Sequence, residues 1–247
     1  MMHVRTVDQQ RSDVHNSEIP LVCLSCEARH GGVCGALEPA QLTELSRQSK
    51  RRELEAGTEV FGQGERAPGY ANIMRGVVKL SKMLADGRQQ IVGLQFAPDF
   101  LGRPFSAESA HSVETATDTQ ICAFPRAVID RLVDQSPELE HRLHEQALKE
   151  LDEARDWMLT LGRKTAQEKV ASFLHLIATH IDPESDTISR FDLPLSRADI
   201  ADYLGLTIET VSRQITKLRK DGVIEVEHNR EVFVPDMDRL ARYAGMD

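Results

Sequence analysis

The chain has 247 residues, which is long for one small domain but comfortable for two, and its 40% hydrophobic content can fill a core in each. The formal net charge of -9 argues against an unspecific nucleic-acid coat, although one small module can still carry a basic surface. Residues 1–20 contain charges and no apolar run of signal-peptide length, and no stretch of the chain is long and apolar enough to span a membrane. We therefore expect a cytoplasmic protein of two folded domains with no membrane partner.

The N-terminal segment, residues 1–36, contains three of the four cysteines in the stretch LVCLSCEARHGGVCGAL. These are Cys23, Cys26 and Cys34, and the fourth, Cys122, lies far along the chain. Cytoplasmic thiols are kept reduced, so this pattern is more typical of a metal or redox site than of disulfides. Four thiolates are the ligand set of a [4Fe-4S] cluster and also of structural zinc. Zinc commonly takes two C-x2-C pairs, whereas only one is present here, which favours the cluster and leaves zinc as the alternative.

Residues 37–135 are predicted to form a β-roll. A short helix is expected over residues 37–49, where leucines recur at helical spacing. Over residues 53–125, short β-rich runs alternate with glycines, a texture typical of a roll or barrel. The stretch VVKLSKMLADGRQQIVGLQF predicts a hairpin that turns at Asp86-Gly87.

Residues 136–164 are predicted to form one long helix, with Ser136 as its cap and Pro137 at its first position. Its apolar residues follow one another at spacings of three and four, which gives a narrow stripe between charged faces. Such a stripe predicts parallel pairing with the same helix of a second subunit in a C2 homodimer. The alternative is a helix that lies across its own domain. The stripe consists of Leu143, Ala147, Leu151, Ala154, Met158 and Leu161.

Residues 165–247 are predicted to form a winged helix-turn-helix DNA-binding domain. A polar linker is expected over residues 182–190. Beyond it, Ser196 caps one helix, Gly205 ends that helix, and Thr207 caps a second. The segment GVIEVEHNREVFVPD then predicts a two-stranded hairpin, the wing.

The second helix of this pair carries Glu209, Ser212 and Arg213 on one face near its N-terminus, where a recognition helix meets base edges. Arginine can donate two hydrogen bonds to guanine and glutamate can accept one from cytosine, each contact contributing about 1 to 3 kcal/mol of discrimination. The alternative is that Glu209 and Arg213 form only an exposed ion pair. The expected phosphate contacts are Arg197, Thr207, Thr210, Lys217 and Lys220.

The glycine-punctuated roll, the long helix and the winged helix-turn-helix together resemble the CRP/FNR family of bacterial transcription regulators, from about Cys23 to the wing. The N-terminal cysteines with a distant fourth, and the E-x-x-S-R pattern at Glu209, Ser212 and Arg213, resemble the oxygen-responsive FNR branch. The resemblance implies an α+β fold with a cyclic-nucleotide-binding-like β-roll, a long dimerisation helix and a C-terminal winged helix-turn-helix.

The resemblance also implies a function, which is that of a transcription regulator and not of an enzyme. A [4Fe-4S] cluster on the four cysteines would control dimerisation and binding to a palindromic TTGAT-type site in double-stranded DNA. The regulator would then contact RNA polymerase. A family member with structural zinc or another effector is the alternative.

Two positions depart from the FNR-branch pattern. Seven residues rather than five separate Cys26 from Cys34, in a segment with Gly31 and Gly32 that we expect to be a flexible loop. Ala154 stands where the branch can carry an acidic residue on the dimer seam, although Asp152 and Glu153 lie close by. An apolar residue there favours a constitutive dimer unless these two neighbours take over the repulsion.

A cyclic nucleotide, the effector of the CRP branch, is not expected in this roll. Glu114 lies near the position where the phosphate-binding arginine of that branch would be sought. A carboxylate at that position would repel a phosphate.

Overall fold

The computed structural model describes residues 19–24, 26–67, 69–104, 106, 108–181 and 187–246. The described N-terminal part is helical, and its last helix confirms the helix predicted over residues 37–49. Its elements are α1 (Leu21–Leu24), α2 (Glu27–Gly31), a 3₁₀ turn (Val33–Ala36) and α3 (Pro39–Gln48).

The β-roll is built from short strands that pair in two four-stranded sheets. The strands are β1 (Lys50–Leu54), β2 (Glu59–Phe61), β3 (Gly69–Arg75), β4 (Val77–Met83), β5 (Gln89–Phe96), β6 (Phe100–Leu101), β7 (Ser112–Thr115) and β8 (Thr119–Pro125). One sheet has the order β1-β8-β3-β6 and the other the order β2-β7-β4-β5. Buried side chains such as Ile73, Val78 and Ile121 fill the space between the sheets. The hairpin predicted at Asp86-Gly87 is confirmed as β4 and β5, and Gly87 has the positive φ that its turn requires.

Two helices, α4 (Arg126–Gln135) and α5 (Pro137–Arg163), follow the roll. Helix α5 begins as predicted, because the Ser136 hydroxyl accepts a hydrogen bond from the amide of Leu139 and Pro137 occupies the first turn. Its 27 residues span about 40 Å at 1.5 Å per residue. Helix α4 was not predicted, although its buried Val128, Ile129, Leu132 and Val133 recur at helical spacing.

The C-terminal part contains α6 (Ala166–Ile181), β9 (Ser189–Asp192), α7 (Arg197–Leu204), α8 (Ile208–Lys220), β10 (Glu225–Glu227), β11 (Glu231–Val234) and α9 (Met237–Tyr243). The helix pair is confirmed: Ser196 and Thr207 cap α7 and α8, and Gly205 ends α7 in the left-handed conformation. The wing has three strands rather than two, in the order β10-β11-β9. The predicted linker is therefore wrong at Ser189 and Arg190, and residues 182–186 lie outside the described part.

The C-terminal domain packs against the roll through one continuous core. Val77, Ile91 and Phe96 of the roll join the buried residues of α6, α7 and α8. The Trp157 ring of α5 stacks on the Tyr203 ring of α7, with ring centroids 4.5 Å apart. None of the helices in the described part of the chain has the length and apolar character that a membrane span requires.

Candidate metal centre and nucleic-acid interface

The structure brings the four cysteines together on the outer face of the β1-β8-β3-β6 sheet. Cys23 lies in α1, Cys26 directly precedes α2, Cys34 lies in the 3₁₀ turn and Cys122 lies on β8. All four thiols are free; Cys34 is buried and the other three are half-buried. The thiols interact electrostatically with one another, so segments far apart in sequence converge on one site.

Burial and mutual repulsion disfavour thiolates at this site unless a cation is present. Burial raises the pKa of the Cys34 thiol to about 12, and the neighbouring Cys122 adds to this effect. Burial likewise raises the pKa of Cys23 and of Cys122, with a further contribution from Cys26 in each case. A bound metal reverses this preference, because metal coordination deprotonates thiols.

A row of residues across the sheet forms the floor of the cysteine site. Arg51 on β1 pairs with Cys122 on β8, and Cys122 pairs with Asn72 on β3. Burial raises the pKa of Cys122 and of Cys23, and the charge of Arg51 partly offsets this rise at both thiols, with Arg29 adding to the offset at Cys23. Arg29, Arg51 and Asn72 were not among the site residues predicted from the sequence. A lone asparagine in the apolar run of β3 was the one local signal for Asn72.

The segment between Cys26 and Cys34 is folded as α2 and the 3₁₀ turn, so the prediction of a flexible loop was wrong. Gly32 is needed there because the chain passes close to other backbone. A Cβ atom at Gly32 would lie 2.5 Å from the carbonyl oxygen of Ala28 and 2.9 Å from that of Pro98. The extra residues relative to the family pattern are thus accommodated by helical turns that pack on the roll.

The cysteine site is in direct contact with the first turns of the long helix. Cys34 belongs to the same buried cluster as Leu139 and Leu143 of α5, and Cys23 and Cys122 pack against that cluster. The 3₁₀ turn also contacts α5. A rearrangement of the cysteine segment would therefore act directly on the start of α5.

The predicted apolar stripe on α5 differs in solvent exposure from one end of the helix to the other. Leu143 is buried within its own chain, whereas Leu151 and Met158 are 44% and 71% exposed. Ala147 and Ala154 are exposed and Leu161 is half-buried. The exposed apolar part of this stripe lacks a covering element within the described chain.

The three residues expected to read bases all lie exposed on α8. The Glu209 carboxylate accepts hydrogen bonds from its own backbone amide and from Thr207, which hold its pKa below the ordinary value and favour the acceptor form. The Arg213 guanidinium donates to the Thr210 hydroxyl at 3.4 Å, and the described ion pairs do not join it to Glu209. Both side chains are therefore available at the surface.

Four of the five expected phosphate contacts also lie on or beside α8. The hydroxyl of Thr207 caps the helix by accepting a hydrogen bond from the Thr210 amide at 3.2 Å. Lys217 donates to the side chain of Gln167 on α6 at 2.6 Å, and Lys220 lies exposed in the last turn.

Arg197, the fifth expected phosphate contact, lies in a cleft between the roll and the C-terminal domain. Its guanidinium donates to the backbone carbonyl of Asn229 at 3.2 Å. In the same cleft, Lys79 of β4 forms ion pairs with Glu114 and Asp199, each with an N–O distance of 2.9 Å. Arg197 is thus at an interdomain contact in this arrangement.

The roll also encloses a cavity of about 470 Å³ beside α5. Arg103, Glu108 and Glu150 line this cavity. Glu114 is not part of its lining, because its carboxylate pairs with Lys79 in the interdomain cleft. The expectation that Glu114 stands at the effector position of the roll was therefore wrong.

Comparison with known proteins matches both halves of the chain. The Cyclic nucleotide-binding domain profile matches residues 51–136, and the Crp-like helix-turn-helix domain profile matches residues 168–243. The pairing of these two domain types defines the class of protein, a DNA-binding transcription regulator.

Relatives place the chain within a family. A probable transcriptional activator of Rhizobium leguminosarum bv. viciae is 63% identical over 96% of this chain and 98% of that protein. The transcriptional activator protein FnrL of Cereibacter sphaeroides is 42% identical over 93% of this chain and 96% of its own length. The structure of FixK2 from Bradyrhizobium japonicum is 31% identical and matches with a TM-score of 0.71, over 79% of this chain and 96% of that chain. This chain belongs to the CRP/FNR family of transcription regulators, and it is not an enzyme.

Proposed function

We propose that this regulator responds to oxygen through a [4Fe-4S] cluster held by Cys23, Cys26, Cys34 and Cys122. The observation that carries the proposal is the convergence of these four thiols on one half-buried site. Thiolates are soft ligands that select iron–sulfur clusters or zinc over harder metals. When bound, the cluster supplies the reactivity towards oxygen. The chain supplies the ligands, their burial and the contact with α5.

The spacing of the cysteines along the chain favours a cluster over a single zinc ion. Structural zinc on four cysteines commonly takes two C-x2-C pairs. Here only Cys23 and Cys26 form such a pair, whereas Cys34 and Cys122 each come from a separate segment. A cube that carries one ligand at each corner accepts ligands from separate segments.

The surroundings of the site suit a cofactor that carries negative charge. The negative charge of four thiolates exceeds the positive charge of the iron and sulfide core, so the cluster with its four ligands is negative overall. The cationic side chains of Arg29 and Arg51 lie near Cys23, where they partly offset the rise in its pKa that burial causes and so favour the thiolate. These two residues would help to hold the loaded site together.

The contact between the cysteine segment and α5 supports coupling to dimerisation. The segment packs on Leu139 and Leu143 at the start of α5, and a bound cluster would hold it there by tying Cys23, Cys26 and Cys34 to Cys122 on the roll. Loss of the cluster would loosen this contact and weaken the homodimer interface further along α5. Because the cluster and DNA would both prefer the dimer, each would raise the affinity for the other.

The dimer would read DNA with its two α8 helices. By resemblance, each half-site is TTGAT-like, with Arg213 on the guanine, Glu209 on the opposite cytosine and Ser212 near a thymine. A twofold axis places the half-sites about one helical turn apart. We further propose that the protein acts in the cytoplasm and contacts RNA polymerase.

The proposal is tested by Cys122→Ser, purified and assayed without oxygen. We expect this variant to lack the cluster and to lose preferential binding to the palindrome. Gln120→Ser, on the same strand but without a thiol, serves as the control and should keep both properties. A Cys122→Ser protein that still holds a full cluster would place the fourth ligand elsewhere. A wild-type protein with one zinc ion per chain would contradict the oxygen sensor and indicate a structural zinc site instead.

A further inference from the structure

Asn72 is a buried amide that touches the cysteine site. Its residue surface is 1% exposed, and its Nδ2 atom donates a hydrogen bond to Sγ of Cys34 at 3.1 Å. Its Oδ1 atom has no hydrogen-bond partner in the described part of the chain. A buried carbonyl oxygen without a partner is costly, so packing alone would favour an apolar side chain at this position.

The position of Asn72 in the sheet places it beside two of the four cysteines. It pairs with Cys122 across β3 and β8, and cross-strand partners project from the same face of a sheet. On its other side it pairs with Phe100 of β6. Asn72 thus stands between Cys122 on the sheet and Cys34 in the 3₁₀ turn that packs over the sheet.

The direction of the Asn72 hydrogen bond matches a sulfur that is a metal ligand. A neutral thiol can donate to an amide oxygen, whereas a thiolate only accepts. The amide presents its N–H group to the sulfur and leaves its oxygen unpaired, which suits an anionic acceptor. Hydrogen bonds to ligand sulfurs withdraw electron density and help to set the reduction potential of an iron–sulfur cluster.

We propose that Asn72 is a positioning residue that orients Cys34 and slows oxidative loss of the cluster through its N–H···S hydrogen bond. This inference rests on the proposed function. Oxygen is the oxidant and accepts the electron that the cluster loses. By drawing electron density from the Cys34 sulfur, Asn72 makes that electron harder to remove.

The test compares Asn72→Leu with the wild type after anaerobic loading with iron and sulfide. Leucine has a similar shape and lacks both the donor and the unpaired oxygen. We expect equal iron content, a more negative midpoint potential and roughly tenfold faster loss of the visible absorption in air, equivalent to about 1.4 kcal/mol. Gln95→Leu is the matched control, because Gln95 is a buried amide of the same roll whose Nε2 donates to the Phe100 carbonyl and to the Glu150 carboxylate instead of a sulfur.

A shifted potential at an unchanged unfolding temperature separates this role from a merely structural one, because a packing defect that let water reach the site would also lower the unfolding temperature. Equal potentials and equal loss rates in all three proteins would overturn the role of Asn72 and leave oxygen sensing intact. A wild type that takes up no cluster would overturn both. If Asn72→Leu does not fold, Asn72→Ser supplies a side chain too short to reach the sulfur, and the same two shifts are expected.

Discussion

Arg213 lies exposed near the N-terminal end of α8, where its guanidinium can reach a guanine edge. We expect Arg213→Ala to weaken binding to the TTGAT palindrome by about 1 to 3 kcal/mol and to leave binding to unrelated DNA nearly unchanged. Titration of both DNAs by fluorescence anisotropy measures the difference. Arg219→Ala removes the same charge from another face of α8 and should lower both affinities only slightly. Equal loss on both DNAs in Arg213→Ala would contradict a role in base readout.

Gly32 is the residue on which the fold of the cysteine segment depends most directly. Because an added Cβ would meet two carbonyl oxygens, we expect Gly32→Ala to destabilise the protein by roughly 1 to 3 kcal/mol and to lower iron uptake. Thermal unfolding and iron analysis check the two effects. Gly162→Ala, at a helical position where the added Cβ meets no neighbour within 4 Å, should leave stability equal or higher. An unchanged unfolding temperature in Gly32→Ala would show that the cysteine segment can move to accommodate the added methyl group, and would contradict this role of Gly32.

The residues of the site differ in how far sequence alone could predict them. The cysteines and the E-x-x-S-R pattern are local and carry their chemistry in the residue type, so they could be singled out. Asn72 could not, because its place beside Cys122 depends on the register of β3 against β8, strands separated by most of the roll. The position of Arg197 likewise follows from how two domains pack, which no local pattern encodes.

Among the elements, α5 has an apolar surface that no described part of the chain covers, because Leu151 and Met158 are exposed. We expect Leu151→Glu to shift the protein towards monomer, since two carboxylates would face each other across a parallel seam. Sedimentation velocity measures the shift. Leu159→Glu makes the same change at an exposed leucine outside the predicted stripe and should leave the dimer intact. A dimer equally stable in both variants would place the interface elsewhere.

Apart from α4, the helices and the hairpin with strong local signals were predicted, whereas strand β9, which is defined by a distant partner, was not. The caps of α5, α7 and α8 and the turn of the β4–β5 hairpin follow from side chains a few residues apart. Strand β9 has a polar sequence and exists because β11, some forty residues later, pairs with it. The helical turns between Cys26 and Cys34 were mistaken for a loop because two adjacent glycines usually indicate one.

At the scale of the whole molecule, Lys79 joins the roll to the DNA-binding domain. Burial alone would lower the pKa of Lys79, but hydrogen bonds to Asp199 and Glu114 outweigh it and hold that pKa above 10.5. Burial would raise the pKa of Asp199, but hydrogen bonds from Ser196 and Lys79 hold it below 3.8. These opposite shifts mean that the ionised pair stabilises the contact.

The sign of each shift sets the pH range of this contact. The Asp199 contribution is complete above pH 3.8 and is lost as pH falls through its lowered folded-state pKa. The Lys79 contribution is complete below pH 10.5 and is lost as pH rises through its raised folded-state pKa. We therefore expect the contact to be strongest between about pH 4 and pH 10.

Lys79→Met should weaken the interdomain contact at neutral pH. Asp199 would keep its charge without its cationic partner, so we expect amides of α7 to exchange roughly tenfold faster, equivalent to about 1.4 kcal/mol of opening free energy. Hydrogen exchange followed by mass spectrometry measures this. Lys82→Met, at an exposed position of the same strand, is the control. Identical exchange in α7 of both variants would show that the apolar core alone joins the domains.

The proposal that four convergent thiols hold an oxygen-labile cluster is tested most directly on the wild-type protein. It is purified without oxygen, its absorption spectrum and its iron, sulfide and zinc contents are measured, and the measurements are repeated after exposure to air. We expect about four irons and four sulfides per chain and a brown absorption band that changes in air. A colourless protein with one zinc ion, indifferent to air, would contradict oxygen sensing and leave the DNA-binding assignment standing.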